Sequence, residues 1–311
     1  MIKVLLAPSS FAAIDDVPLR KLASAGYELI SNPYGRRLTE PEVLDLLQPG
    51  TLGIIAGLEP LTRRVMEESE LRVISRVGSG ISNVDLEAAE ELGVKVFSTP
   101  TGPTRAVAEL TVGCLLSLLR SVPHMDQALH QGTWTKVIGS QLHGKVVAVV
   151  GLGRIGRLVA SMLDALGAEV IGVDPLLPAE EVELELVSLD EALGRADVLA
   201  LHASGDSCIL DERAFGAMRN GMWLLNASRG EVVDEDALVQ ALHNGTVRGA
   251  WLDTFCTEPY TGPLSEFENV ILTPHVGSYT EEARRSMEAE AVDNLITGLR
   301  RDGVGDIGLR R

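Results

Sequence analysis

The sequence predicts an α/β chain of two domains, and three observations carry that expectation. Its 311 residues suffice for two domains with proper cores. Residues 3–97 alternate short apolar runs with helical patterns. Over residues 146–174 an apolar strand, a glycine-rich corner, a helical run and a second apolar strand follow one another.

Residues 3–7, 27–30, 52–57, 72–77 and 94–97 have strand character, with helical patterns at 18–25, 41–48, 62–69 and 86–92 between them. Thr39 with Glu42 fits a capping box, and Gly26 and Gly93 stand where a helix end wants a left-handed residue. Five strands with helical crossovers imply a small, mostly parallel sheet. Residues 104–121 are almost uniformly apolar or small, which predicts a helix buried in a domain junction or a subunit interface. Another segment, 124–134, precedes the glycine corner. Beyond Asp174, strands are expected at 198–203, 222–227, 249–255 and 270–273, with helices at 211–218 and 236–243. That count is compatible with a nucleotide-binding sheet of about six strands. A last helix opens at Ser278 or Thr280, with Glu281 placed for a capping box on Ser278, and runs to about Arg300.

The corner itself is specific. The strand at 146–150 leads into Gly151-Leu152-Gly153-Arg154-Ile155-Gly156. The first glycine permits the tight turn, the second admits a pyrophosphate to the backbone, and the third lets helix and strand pack closely. The helix start offers unpaired N–H groups to phosphates. The second strand ends in Asp174, whose carboxylate can take ribose hydroxyls and repel a 2′-phosphate, so NAD is favoured over NADP. A lone G-x-G-x-x-G is often just a turn; here strand, helix, second strand and acid stand in register.

Composition excludes several classes. A net charge of −17 argues against sequence-independent nucleic-acid binding. Apolar content of 45% and charged content of 23% are ordinary for a globular protein. No apolar run approaches the ~20 residues of a membrane span, and the N-terminus lacks a signal pattern. The three cysteines have neither metal-like spacing nor an even disulfide set, so no metal is expected and a cytoplasmic location is.

Ligands of such sheets gather beyond the C-terminal strand ends. Arg229, Glu258 and His275 each follow a predicted strand there, and His202 ends another beside the expected cofactor cleft. Singly, each reads as a turn residue, a loop acid or a core histidine. Together they supply a fork for a carboxylate, a proton carrier and its tuner.

The segments Asn226-Ala227-Ser228-Arg229-Gly230, Asp253-Thr254-Phe255-Cys256-Thr257-Glu258-Pro259 and Thr273-Pro274-His275-Val276-Gly277 resemble the NAD-dependent D-2-hydroxyacid dehydrogenase family. So do the glycine corner and Arg76-Val77-Gly78-Ser79-Gly80-Ile81-Ser82-Asn83-Val84-Asp85, and the resemblance covers nearly the whole chain. It implies a Rossmann-type NAD-binding domain (99–279) inserted into a flavodoxin-like substrate-binding domain (1–98 and 280–311). It implies that His275 is the general acid/base, that Glu258 hydrogen-bonds it and favours its protonated form, and that Arg229 binds the substrate carboxylate and carbonyl oxygen. Arg76, Val77, Gly78, Ser79 and Gly80 would bind substrate, the loop through its backbone N–H groups. Gly151, Gly153, Arg154, Ile155, Gly156, Asp174, His202, Ala203, Ala227, Ser228, Arg229, Asp253, His275 and Gly277 would bind NAD, with Asp253 orienting the nicotinamide.

Within that family Pro103-Thr104-Arg105-Ala106-Val107-Ala108-Glu109-Leu110, Leu119-Arg120-Ser121-Val122-Pro123 and Gly132-Thr133-Trp134-Thr135-Lys136 look most like phosphoglycerate dehydrogenases. Three features depart from them. Ala203-Ser204-Gly205-Asp206-Ser207-Cys208 replaces a proline-containing turn, Glu59 stands where some members offer arginine, and a serine-sensing C-terminal domain is not expected. Arg76, Arg105 and Lys136 could serve a phosphate or phosphonate, or be ordinary surface and interdomain charges. The expected function is hydride transfer between NAD(H) and a small anionic 2-hydroxy/2-oxo acid, best 3-phosphoglycerate/3-phosphohydroxypyruvate, by a homodimer built on the NAD-binding domain. The alternatives are a dehydrogenase of an unphosphorylated acid (glyoxylate, hydroxypyruvate or D-lactate) and a non-catalytic NAD-sensing protein like a corepressor.

Overall fold

The computed structural model describes residues 1–178, 181–205 and 207–301; Asp206 and the end of the expected substrate-binding domain, 302–311, lie outside the described residues. The chain divides into two compact units, Met1–Pro103 with Ser278–Arg311, and Thr104–Gly277. The first unit holds β1 (Lys3–Leu6), α1 (Val17–Ser24), β2 (Glu28–Ser31), α2 (Glu40–Leu46), β3 (Thr51–Ala56), α3 (Arg63–Glu67), β4 (Val73–Arg76), α4 (Leu86–Glu91) and β5 (Lys95–Phe97). The second opens with α5 (Thr104–Leu119), α6 (Val122–His130), β6 (Val146–Val150), α7 (Arg154–Ala165), β7 (Glu169–Val173) and β8 (Glu185–Leu186). It continues with α8 (Leu189–Arg195), β9 (Val198–Leu201), α9 (Glu212–Ala217), β10 (Met222–Asn226), α10 (Glu235–His243), β11 (Val247–Leu252) and β12 (Val270–Leu272). The last helix, α11 (Glu281–Arg301), belongs to the first unit.

The first sheet is all parallel in the order β2-β1-β3-β4-β5, the flavodoxin-like arrangement. Its helix boundaries follow local chemistry. Glu42 accepts the Thr39 N–H at 2.8 Å, and Gly26 and Gly93 adopt φ of +88° and +70°. Helix α11 packs on β3, β4 and β5. Two small residues let it close: a Cβ on Gly298 would lie 2.9 Å from Val73, and one on Gly53 would lie 3.0 Å from Leu295. The capping box expected on Ser278 is not formed. Thr280 caps instead, its Oγ1 accepting the Ala283 N–H at 3.2 Å, because the helix starts only at Glu281.

The second sheet is also all parallel, in the order β12-β11-β10-β9-β6-β7-β8. Counted from β6 this is 3-2-1-4-5-6 with a seventh strand added, a Rossmann-type sheet. Seven strands exceed the expected six because β8 is only Glu185–Leu186, too short to leave a pattern. The buried strands send alternate residues to two cores, apart from a register shift where β11 begins. Ala148, Val150, Leu199, Leu201, Leu224 and Leu252 face one core, while Val147, Val149, Ala200, Trp223, Leu225 and Trp251 face the other. Helix α5 joins the second core through Ala108, Leu115 and Leu119 and packs on α7. Among the described residues no single helix is long and apolar enough to cross a membrane.

Candidate active site

The switch point of the second sheet lies between β6 and β9, and the glycine corner occupies it. Gly151 has φ +89°, and a Cβ there would sit 2.6 Å from Ala203 N and Cα. A Cβ on Gly156 would overlap Gly151 O at 1.9 Å, so the helix start is wedged against the turn. Gly153 is the contrast: a Cβ there would meet nothing within 4 Å. Gly151 and Gly156 are required by the fold, whereas Gly153 faces open space at a helix start with no side-chain cap. That is the geometry a diphosphate fits. Arg154 is exposed and Ile155 half-buried on the first turn. Asp174 ties the second strand to this loop, accepting Leu152 N–H at 2.9 Å and Leu176 N–H at 3.1 Å. Arg157, not singled out in the sequence, holds Leu152 O at 2.8 Å.

His202 follows β9, its N–H donating to Val150 O at 2.7 Å. Both ring nitrogens are inaccessible and have no hydrogen-bond partner among the described residues. Burial pushes its pKa down to about 4, so the ring is neutral near neutral pH. An orphaned neutral imidazole beside the corner fits a polar group of a bound dinucleotide.

Beyond β10, the buried Asn226 knots its own turn. Its Nδ2 donates to Arg229 O at 2.8 Å, and its Oδ1 accepts Ser228 N–H at 3.0 Å and Ser228 Oγ at 2.8 Å. Ala227, half-buried, donates its N–H to Leu201 O at 3.4 Å. Arg229 is half-buried and donates through Nη1 to Ser228 O at 2.7 Å. The next residue must be glycine, since a Cβ on Gly230 would lie 1.9 Å from the Phe255 carbonyl carbon. The Arg229 turn and the loop carrying Glu258 therefore meet backbone to backbone.

Glu258 accepts the Phe255 N–H at 3.2 Å and meets His275 Nδ1 at 3.0 and 3.1 Å. Because an ionised carboxylate only accepts, Nδ1 carries the proton and Nε2 is left for other chemistry. The Glu258–Pro259 peptide is cis. His275 has φ +54°, a left-handed conformation that few non-glycine residues adopt. Its loop is clamped by Asp253, which is 3% exposed. Asp253 accepts Thr273 Oγ1 at 2.6 Å, Val276 N–H at 2.9 Å and Gly277 N–H at 2.8 Å. Trp251 Nε1 donates in turn to Thr273 Oγ1 at 2.9 Å. Burial raises the Asp253 pKa against those hydrogen bonds. Asn226 and Thr273 were not foreseen as site residues; the signal they leave is that each heads a motif, the first containing Arg229 and the second His275.

In the first unit, the loop after β4 holds two amides internally. Val77 N–H bonds Ala56 O at 2.8 Å, and Gly78 N–H bonds the buried Thr99 Oγ1 at 2.7 Å. Ser79 is exposed and Gly80 half-buried. Arg76 is 9% exposed, and a Cβ on Gly78 (φ +131°) would lie 1.7 Å from its Nη1. Glu59 is 1% exposed and accepts Gly57 N–H at 2.8 Å. Burial raises its pKa, opposed by backbone hydrogen bonds and by the charges of Arg76 and Arg37. Of the other candidate phosphate ligands, Arg105 is exposed and pairs with Glu109 at 3.3 Å, and Lys136 is exposed.

Residues 112–277 match the family described as D-isomer specific 2-hydroxyacid dehydrogenase, NAD binding domain. D-3-phosphoglycerate dehydrogenase 2, chloroplastic, of Arabidopsis thaliana is 37% identical over 286 residues, 88% of this chain and 44% of that protein. The chain spans about half the length of the curated relatives it matches. The crystal structure of the TT0316 protein from Thermus thermophilus superposes with a TM-score of 0.88 at 32% identity, covering 96% of this chain and 97% of that one. A glyoxylate reductase from Paecilomyes thermophila gives a TM-score of 0.86 at 26% identity, covering 97% and 96%. The chain thus belongs to the D-isomer specific 2-hydroxyacid dehydrogenase family, with its NAD-binding domain at residues 112–277.

Proposed function

We propose that the protein is an NAD-dependent oxidoreductase that interconverts a small 2-hydroxy acid and its 2-oxo acid. The observation that carries this is the Glu258–His275 hydrogen bond at 3.0 Å on a strand-end edge that also holds Arg229. NAD(H), when bound, supplies or accepts the hydride. In the reductive direction His275, protonated on both nitrogens, gives its Nε2 proton to the substrate oxygen while Glu258 holds Nδ1. Arg229 forks onto the substrate carboxylate and balances the negative charge that develops on the oxygen. In the first unit the exposed Ser79 and half-buried Gly80 are the proposed backbone donors of the loop. Gly153, in the corner shaped by Gly151 and Gly156, would hold the diphosphate, and Asp174 would take the ribose and disfavour NADP.

The substrate reading follows the relatives: 3-phosphoglycerate/3-phosphohydroxypyruvate or another acid with a second anionic group. One observation favours an unphosphorylated acid instead. Arg105, a candidate phosphate ligand, is already paired with Glu109. A panel of 2-oxo acids, phosphorylated, phosphonate and plain, with NADH or NADPH and with oxidation followed by absorbance, separates these readings. Turnover on at least one acid, with NADH preferred, is expected. Silence on all of them favours a non-catalytic NAD-sensing role, and tighter binding of NADPH contradicts the role given to Asp174.

The proposal includes a homodimer built on the second unit, in the cytoplasm. Trp134 is 80% and Ile138 93% exposed, with Val122 and Leu129 exposed on α6, an apolar set that suits a second copy of the chain. Three free cysteines suit a reducing compartment. A monomeric mass by light scattering at micromolar concentration contradicts the dimer.

A further inference from the structure

The first sheet has its own switch point, between β1 and β3, where the strand order reverses. The loop that leaves β1 there is pinned by two charges from the other end of the chain. Arg284 and Glu288, one turn apart near the start of α11, form an ion pair at 2.5 Å with side chains only 10% and 3% exposed. Neither is satisfied by the other alone. Arg284 Nη2 also donates to Ser10 O at 3.2 Å, and the second Glu288 oxygen accepts Ala12 N–H at 3.0 Å. Ala12 has φ +58°, a left-handed backbone that an alanine adopts only when its surroundings impose it. The Tyr279 ring lies 5.3 Å from the Arg284 guanidinium and covers it. A buried ion pair is seldom a net source of stability, because desolvation offsets the attraction. What this pair does is set the course of the loop at residues 10–12.

We propose that Arg284 and Glu288 are positioning residues: they clasp the loop after β1 in the one conformation in which the switch-point edge of the first unit binds the 2-oxo acid. This rests on the 2-hydroxy-acid reading above. Neither side chain touches the substrate; both act through Ser10 and Ala12. The placement follows from the rule that ligands of such sheets gather at the switch point, and the loop here is the element of that edge fixed by long-range charges.

Arg284→Met alone leaves Glu288 buried and unpaired and could fail to fold, so the decisive variant is the double change Arg284→Met/Glu288→Leu. An apolar pair of this kind is expected to keep the melting temperature near that of the native chain. In it, amide exchange at Ala12 should accelerate at least about tenfold, and KM for the 2-oxo acid should rise about tenfold or more. The dissociation constant for NADH, read by fluorescence, should change by less than about twofold, because no contact of the glycine corner is altered. Unchanged exchange at Ala12 would overturn the clasp. Faster exchange with an unchanged KM would overturn its role in positioning substrate. A native chain that reduces no 2-oxo acid would sink the reaction reading and the substrate role with it, while the exchange rate still judges the clasp.

Discussion

The two sheets carry polar groups at the same kind of place, beyond the C-terminal ends of parallel strands, yet treat them differently. In the second unit three polar side chains at the strand-end edge are each bound to a neighbour a few residues away or one strand over. Asn226 holds Ser228 and Arg229, Asp253 holds the loop at residues 273–277, and Glu258 holds His275. What is left over, the Nε2 of His275 and the Arg229 N–H donors not given to Ser228 O, is what the proposed chemistry on a 2-oxo acid needs. In the first unit the buried charges turn inward. Glu59 accepts the Gly57 amide, and Arg284 and Glu288 reach across about 270 residues of sequence to Ser10 and Ala12. One edge presents reactive atoms, while the other fixes a shape.

The contrast breaks most sharply at the glycines. Gly230→Ala should cost about 2–4 kcal/mol of stability and most of the activity, since its Cβ would fall 1.9 Å from backbone that cannot retreat. Thermal denaturation of the variant checks this, and a native-like melting temperature contradicts the backbone contact. Gly153→Ala should do the reverse. With nothing within 4 Å of the new Cβ, stability should stay within about 0.5 kcal/mol while NADH affinity falls about tenfold or more. Isothermal titration separates the two, and unchanged affinity would mean that the open face at Gly153 is not where the diphosphate lies.

His202 gives a smaller, pH-dependent test. Burial lowers its pKa from 6.5 to about 4, so the unfolded chain takes up a proton at a higher pH than the folded one. Its contribution to stability is therefore complete above about pH 6.5 and lost as the pH falls towards 4. Between pH 7 and pH 5 the native chain should lose about 2 kcal/mol that His202→Gln does not, measured by urea denaturation at both pH values. Equal losses would mean that the ring is not held neutral.

The same contrast explains what the sequence could convey. Strand alternation, the glycine corner, Asp174 and the set of Arg229, Glu258 and His275 were all legible, because each depends on residues close together or on a repeated strand-end position. Strand ends were overdrawn, to 203 and 255, because Thr254 and Phe255 stay buried after pairing stops at Leu252. The two-residue β8 left no pattern. The burial of Arg76 under Gly78 and the Arg284–Glu288 clasp were not legible: both are set by the packing of one strand-end loop or of the chain's two ends, and no local spacing encodes that. The structure accordingly narrows the expected substrate-binding loop, since the Val77 and Gly78 amides are already bonded to Ala56 and Thr99.

On the proposed reading His275 moves the proton and does little else. The test is His275→Ala, with NADH binding followed by fluorescence and turnover followed on the best 2-oxo acid of the panel. A dissociation constant within about threefold of the native chain is expected, with a fall in kcat of about a thousandfold. Near-native turnover, or a loss explained by NADH binding alone, would contradict it.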